Sequence, residues 1–329
     1  MKRIINRFKR IDTKLLKSNI KEISQLTGKS QISVFMDMLQ CYKKYGAGYS
    51  EYFEYEFYLL NEQERSTYMT SVQANEIVQR YNQKEYRHLF YDKADFNKTF
   101  ADYVGRDWLN IQTASKDDID KFLENRDTMM IKETQNLMGH GVEKITISDI
   151  ENVDEFVQKC LENKQYLWEE FFTQHTEMAR LYPGSVNTLR VITFFDGDEV
   201  AILEKVLKIG NGGHLDNFAA GGMYTILSEE GKVLYPAFDA KANAFSIHPS
   251  SQVEIIGFEV PHYDKVVELV KNVGRQVPQI PYVGWDIAIG QEGPILIEGN
   301  YNSGVFQMKP SITKEKVGVK PHYKKYIDF

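Results

Sequence analysis

Two apolar stripes run through the first part of the chain. Leu15, Leu16, Ile20, Ile23 and Leu26 recur at helical spacing, and Val34, Phe35, Met38, Leu39 and Tyr42 repeat the pattern. Gly28 predicts a break between the two helices, and Ser30 and Ser33 are candidate N-caps. The segment Tyr52-Phe53-Glu54-Tyr55-Glu56-Phe57-Tyr58 alternates aromatic and acidic residues, which fits a strand. A helical or irregular aromatic clamp is the preferred reading, because Asn61-Glu62-Gln63-Glu64-Arg65 resumes at once as a helix start. Residues 1–90 are therefore expected to be mainly helical.

The period then changes. Met129 to Lys132 and Lys144 to Ile147 read as short strands around a loop holding Gly139 and Gly141. A helix with Val153, Phe156, Val157 and Leu161 on one face follows, capped by Asn152 or Asp154, and Tyr166-Leu167-Trp168 is another strand. From residue 186 onward strands dominate. Thr188–Phe195 and Glu199–Lys208 flank Asp196-Gly197-Asp198, a hairpin signal. Met223–Leu227 and Lys232–Tyr235 suggest a second hairpin, Pro261 opens a helix through Val270, and Tyr282–Ile289 pairs with Pro294–Glu298. The expected fold class is α+β.

Composition narrows the setting. The 329 residues are 42% hydrophobic and 26% charged, an ordinary globular mixture. A net charge of −6 argues against a nucleic-acid binder, which needs a basic face. Basic residues do gather at the ends: Lys2, Arg3, Arg7, Lys9 and Arg10, then Lys320, Lys324 and Lys325. Solvated termini are the simpler reading, and peripheral contact with a membrane surface or an acidic partner the sharper one. No apolar run is long enough to span a bilayer, no signal-type apolar stretch stands at the start, and Cys41 and Cys160 suggest no disulfide or metal site. A reducing cytoplasm is the expected location.

The chemistry concentrates near the end. In Gly284-Trp285-Asp286…Ile297-Glu298-Gly299-Asn300, strand alternation sends Asp286, Ala288 and Gly290 to one face, and Leu296 with Glu298 to one face of the return strand. A tight hairpin then sets Asp286 beside Glu298, with Asn300 just beyond, hard oxygen ligands suited to Mg²⁺. The alternative is an exposed hairpin with surface acids. Lys93 precedes an apparent helix, and Lys132 ends an apolar strand before a glycine loop, a place to hold phosphate; surface lysines are the simpler alternative. Arg190 enters an apolar strand and wants an anionic partner. The glycine-rich run Lys208-Ile209-Gly210-Asn211-Gly212-Gly213-His214-Leu215-Asp216-Asn217 offers Lys208, His214 and Asn217 as contacts to phosphate or acceptor, His214 also as a general base, against an incidental crossover loop. The other histidines show no metal spacing and are read as surface or capping residues.

Asp92-Lys93, strand-Lys132 with a glycine loop, Trp168-Glu169-Glu170-Phe171-Phe172, Asn187-Thr188-Leu189-Arg190 and Asp286…Glu298-Gly299-Asn300 occur in an order that resembles the ATP-grasp superfamily, over about residues 90–305. Asn187-Thr188-Leu189-Arg190 and Asp216-Asn217-Phe218-Ala219-Ala220-Gly221-Gly222 resemble its sugar-transfer-associated branch. The resemblance implies an ATP-grasp fold, two α+β subdomains holding ATP between them, here with a mainly helical N-terminal region at 1–90. The small subdomain would be 91–180, with the lid loop and adenine strand, and the large one 181–329, with the metal site. It implies ATP and Mg²⁺ as cofactors. Lys93 and Lys132 would hold phosphates, Glu169, Glu170, Phe171 and Phe172 line the adenine strand, Glu177 accept from ribose, and Asp286, Glu298 and Asn300 bind metal. Arg190, Lys208 and His214 would serve the reaction, with Asn217 at the nucleotide. The implied activity is a carboxylate–amine ligase working through an acyl phosphate on a sugar acid or amino acid of cell-surface polysaccharide. The alternatives are a phosphotransferase to a hydroxyl and a non-catalytic nucleotide-binding assembly protein. Two departures stand out: the helical N-terminus replaces a doubly wound domain, and the loop from Glu133 to Gly141 is poorer in glycine and serine than the usual lid.

Overall fold

The computed structural model describes residues 13–135, 141–213, 216, 218, 221–240, 243–307 and 309–329. The chain divides into two compact units, Met1–Ile77 with Gly304–Phe329, and Val78–Ser303.

The first unit is helical. Helices Thr13–Thr27 and Gln31–Tyr45 are separated by the short break expected at Gly28, and Ser30 Oγ caps the second by accepting from Ser33 N at 3.2 Å. The buried stripe differs from the expected one. Ile20, Ile23, Val34, Met38 and Cys41 face the core, whereas Leu26, Phe35 and Leu39 are exposed. The second helix carries two apolar arcs, and the core takes Val34, Met38 and Cys41. The aromatic-acidic segment is helical, as preferred: Tyr49–Glu54 and a short turn at Phe57–Leu59. Its rings fill the core, Phe57 lying edge-on to Tyr68 at 5.4 Å. Asn61 caps helix Glu62–Ser66 in a capping box with Glu64. Arg65 then reaches Asp37 with two hydrogen bonds of 2.8 and 2.7 Å, and the Tyr52 hydroxyl donates to the same carboxylate at 2.5 Å. The C-terminal segment joins this unit through Ser311, whose N and Oγ donate to the Glu56 carboxylate at 2.8 and 2.6 Å.

The second unit holds two antiparallel sheets. Strands β1 (Trp108–Asn110), β2 (Thr128–Lys132), β3 (Val142–Thr146) and β4 (Leu167–Glu170) form a four-stranded sheet in the order β1-β4-β2-β3. Helix Val153–Glu162, capped by Asn152, contributes Cys160 to the apolar cluster at this sheet, where Trp168, Ile131 and Met129 are fully shielded.

The larger sheet contains β5 (Thr188–Phe195), β6 (Val200–Ile209), β7 (Met223–Ile226), β8 (Ala237–Asp239), β9 (Ala244–Phe245), β10 (Tyr282–Ile289) and β11 (Pro294–Asn300). Its order is β11-β10-β5-β6-β7-β8-β9. The hairpin β5–β6 forms as its Asp-Gly turn predicts. The second expected hairpin does not. Lys232–Tyr235 is no strand; it makes two isolated bridges, Leu227 with Val233 and Lys232 with Glu259, and turns to residues 257–259 through Val233 N to Phe258 O and Gly257 N to Val233 O, both 2.8 Å. Helix Tyr263–Val273 contributes Val266, Val270 and Val273 to one continuous core with Leu189, Val191, Leu207, Ile209, Trp285, Ile287 and Leu296. Alternation along β5, β6 and β10 commits one face of the sheet to this core, while the other carries Arg190, Lys208 and Asp286 among buried Ile192, Val206, Tyr282 and Ala288.

Candidate active site

The face of the large sheet turned away from this core carries most of the chemistry. Asp286 lies directly opposite Arg190 on one side and Glu298 on the other. The register shifts just after Asp286, so that Ile287 opposes Leu296 and Ile297 is the extra residue of a bulge. Leu296 and Glu298 therefore do not share a face, as simple alternation suggests. The bulge sends Leu296 into the core with Ile287 while Glu298 stays beside Asp286.

Glycines make room on both sides of this pair. A Cβ at Gly284 would lie 2.3 Å from Ser303 Oγ and 3.1 Å from Arg190 Cδ. One at Gly299 would meet Phe90 and Phe96 at 2.9 Å each. Neither position accepts a side chain without displacing a neighbour.

Asp286 is buried and paired with two cations. Arg190 clasps both its oxygens, Nε to Oδ1 at 2.5 Å and Nη2 to Oδ2 at 2.6 Å, and Lys208 Nζ stands 3.2 Å from Oδ1. Burial works to raise its pKa, but Arg190 and Lys208 outweigh it and hold the carboxyl well below the usual range. Glu298 is the reverse case. Removal from water and the Asp286 carboxylate push its pKa up, although 45% of its side chain is accessible. Asn300 Nδ2 donates to Glu298 Oε1 at 3.2 Å, and Arg190 Nη2 lies 3.9 Å from that oxygen. Asp216, also raised by burial, accepts from Thr188 N and Oγ1 and faces Lys208 at 3.7 Å.

A second cluster joins the two sheets. The Glu169 carboxylate, on β4, accepts from Asn97 Nδ2 at 2.7 Å and Arg106 Nη2 at 2.8 Å, and pairs with Lys132 Nζ. Arg106 also donates to Leu296 O at 2.8 Å, so one guanidinium ties β4 to β11. Glu169 is buried, and these cations hold its carboxyl far below the ordinary range despite desolvation. Lys93 opens helix Lys93–Thr99, capped by Asp92, and its Nζ donates to Glu133 O at 3.1 Å. Burial and the Lys132 charge lower its pKa against the pull of Glu298 and Glu169.

The structure thus brings Arg190, Lys208, Asp286, Glu298 and Asn300 together on four adjacent strands. Lys132 pairs with Glu169, and Lys93 interacts electrostatically with both Glu169 and Glu298. Glu170 is exposed and accepts from Asp107 N at 3.1 Å, Phe171 is a ring beneath Lys144 at 4.0 Å, and Phe172 packs beside Gly290 at the end of β10. Glu177 pairs with Arg180 at 2.6 Å. His214 and Asn217 lie outside the described residues, as do Asn136 to His140 of the expected lid loop. Of the histidines read as surface or capping groups, His175 caps helix Thr176–Leu181, but His248 is fully buried against Tyr182 and contacts Gly210 O at 2.8 Å.

Sequence reasoning missed Arg106 and Asn97, because neither sits in a periodic or motif-bearing stretch. Asn187 appears in the sequence motif, and the structure gives it a task. Completely buried, it donates to Met178 O and Tyr182 O and accepts from Gly210 N, fixing the glycine run against the start of β5.

A sheet face with paired carboxylates and cations, beside a smaller antiparallel sheet that presents lysines, defines an ATP-grasp protein. The sugar-transfer associated ATP-grasp family matches residues 73–319, and the chain belongs to that family. No curated protein sequence matches it significantly. Among solved structures it is similar to D-alanyl-alanine synthetase A from Vibrio cholerae O1 biovar eltor, at 15% identity over 72% of this chain and 62% of that one, TM-score 0.42. It is also similar to the ATP-grasp ligase PsnB in complex with a precursor variant, Mg and ADP, at 13% identity, 75% and 60% coverage and TM-score 0.43. D-alanine–D-alanine ligase from Bacillus anthracis gives 12%, 75%, 68% and 0.41. The chain spans about three-fifths of the length of the first two.

Proposed function

We propose that this protein is an ATP-dependent, Mg²⁺-requiring ligase that joins a carboxylate to an amine through an acyl phosphate. The observation that carries the reading is the arrangement on adjacent strands of Arg190 and Lys208 against the carboxylate pair Asp286 and Glu298. Membership of an ATP-grasp family supports ATP as the donor. The description of the family as sugar-transfer associated supports a sugar acid, or an amino acid joined to a sugar, as acceptor in cell-surface polysaccharide synthesis. Cytoplasmic location belongs to the same reading; among the described residues no helix is long and apolar enough to cross a membrane.

The donor set fits Mg²⁺. Among the described residues no group of three acidic, histidine or cysteine side chains could hold a metal alone. Two carboxylates and a carboxamide suit an ion that is bound through one or two carboxylates and keeps its remaining positions for water and phosphate oxygen. A carboxyl whose pKa is raised by burial and by a neighbouring carboxylate is also relieved by a cation. Asp286, Glu298 and Asn300 would hold the ion, which when bound neutralises the phosphate charge.

The chain's other residues bind and position. Lys93 and Lys132 hold phosphate by charge. Glu169 fixes Lys132 while the chain beyond it, Glu170 to Phe172, lines the adenine, and Glu177 accepts from the ribose. Arg190 and Lys208 supply positive charge to the oxygens of the transferred phosphoryl group, a reaction that depends mainly on position and electrostatics. Asn217 and the base His214 are assigned to the glycine run by sequence. In the balance, a carboxylate oxygen attacks the γ-phosphorus and ADP leaves; the amine attacks the carbonyl carbon, phosphate leaves, and the amine loses a proton.

A hydroxyl acceptor is the second reading, since every group above serves the donor. Hydroxylamine separates the two. With ATP and a carboxylate that stimulates ADP release, it traps a hydroxamate under the ligase reading. A phosphorylated sugar with no hydroxamate from any active carboxylate would establish the phosphotransferase instead.

A further inference from the structure

The first unit carries an apolar face that its own core does not use. In helix Gln31–Tyr45, Val34, Met38 and Cys41 point into the core. At 100° per residue, Ile32, Phe35, Met36 and Leu39 fall together on a different arc. Their exposures are 77%, 41%, 58% and 41%. Four adjacent large apolar side chains held in water are not scattered surface residues, and such a face marks a binding surface.

Charge tells what it binds. Residues 1–45 contain eleven of the forty basic residues and three of the forty-six acidic ones, a net +8 in a chain of net −6, which leaves −14 for the rest. One of the three acids, Asp37, is already clasped by Arg65. Lys29 precedes the apolar arc and Lys43 follows it along the helix, and both line a depression with Met36 and Leu39 and the polar Ser33, Asp37 and Gln40. Lys14, Lys17 and Lys21 are exposed on the preceding helix. Lysine stems can lie along apolar surface while their heads reach outward. The described residues 13–45 alone hold six basic and two acidic residues, a net +4, and two like-charged faces repel, which disfavours self-association. An apolar stripe with a lysine rim is instead the chemistry of a helix lying in the headgroup region of an anionic bilayer.

We infer that helix Gln31–Tyr45, with the basic residues around it, docks this protein on an anionic lipid surface, Ile32, Phe35, Met36 and Leu39 entering the headgroup boundary. Each basic residue near such a surface strengthens partitioning about fivefold at low salt, and the gain fades as salt shortens the Debye length. The inference stands independently of the reaction assigned to the second unit.

Flotation of the full chain with vesicles tests it. Binding is expected to phosphatidylcholine vesicles containing phosphatidylglycerol and not to phosphatidylcholine alone, with a loss of at least tenfold between low and high salt. A variant carrying Phe35→Ser, Met36→Ser and Leu39→Ser is expected to lose at least tenfold in binding while its melting is unchanged. If that variant fails to fold, Lys29→Glu with Lys43→Glu is to show the same loss. No binding to anionic vesicles overturns the inference, as does binding that neither variant weakens. Concentration-dependent dimers that the serine variant abolishes, without vesicle binding, would make the face a protein interface instead.

Discussion

Glu298 is where the site is most sensitive. Its carboxyl is raised by desolvation and by Asp286, so the folded chain keeps it protonated to a higher pH than the unfolded chain does. Ionising it therefore costs stability as pH rises through the folded pKa. Glu298→Gln removes that cost, and the metal-free variant is expected to melt above the parent at pH 7, with the difference closing below about pH 4.3, the unfolded value. The same change removes a metal ligand and is expected to abolish Mg²⁺-dependent ADP release. Melting curves across pH, with and without Mg²⁺, read both effects; a parent that melts higher than the variant at pH 7 without metal would contradict the first. Lys132 gives a cleaner test of the nucleotide. Glu169 keeps Arg106 and Asn97 when Lys132→Ala removes one cation, so the fold is retained. ATP affinity is expected to fall by roughly 1.5–3 kcal/mol, the worth of a charge-assisted contact, or about tenfold to over a hundredfold by calorimetry. Unchanged affinity would place the lysine outside the nucleotide site.

At the scale of elements, the hairpin β10–β11 shows what sequence can and cannot supply. Asp286 and Glu298 are legible as a facing pair because hairpin spacing brings them opposite. The bulge at Ile297 is not legible, since period-two counting has no means of marking an extra residue. Lys232–Tyr235 reads as a strand from its composition, yet its bonding partners lie at 257–259, distant in sequence and set by the fold. In helix Gln31–Tyr45 the two apolar arcs are equally periodic, and only tertiary packing decides which is buried. Arg106 is the hardest case. It joins β4 and β11 through Glu169 and Leu296 O, with 4% of its side chain exposed against 3% for Glu169. Arg106→Ala leaves a buried carboxylate with Lys132 as its one remaining cation and is expected to destabilise the protein by roughly 3–5 kcal/mol. Denaturant titration checks this; a loss below about 1 kcal/mol would show that Lys132 and Asn97 suffice.

For the whole molecule, the acid response and the reaction remain. Asp286 and Glu169 are both depressed by cations despite burial, so their stabilising contribution is full above the unfolded values and is lost as pH falls below about 4 toward the folded ones. Glu169→Gln is expected to flatten the fall in denaturation midpoint below pH 4; an acid slope equal to the parent's would remove Glu169 from that account. The reaction itself is tested most directly by following oxygen. A carboxylate that stimulates ADP release, labelled with ¹⁸O in the carboxyl group, is incubated with ATP, Mg²⁺ and its amine. Attack of a carboxylate oxygen on the γ-phosphorus and later expulsion of phosphate predict one ¹⁸O atom in each inorganic phosphate released. Unlabelled phosphate, or the γ-phosphate recovered on a sugar hydroxyl, would contradict the acyl-phosphate ligase.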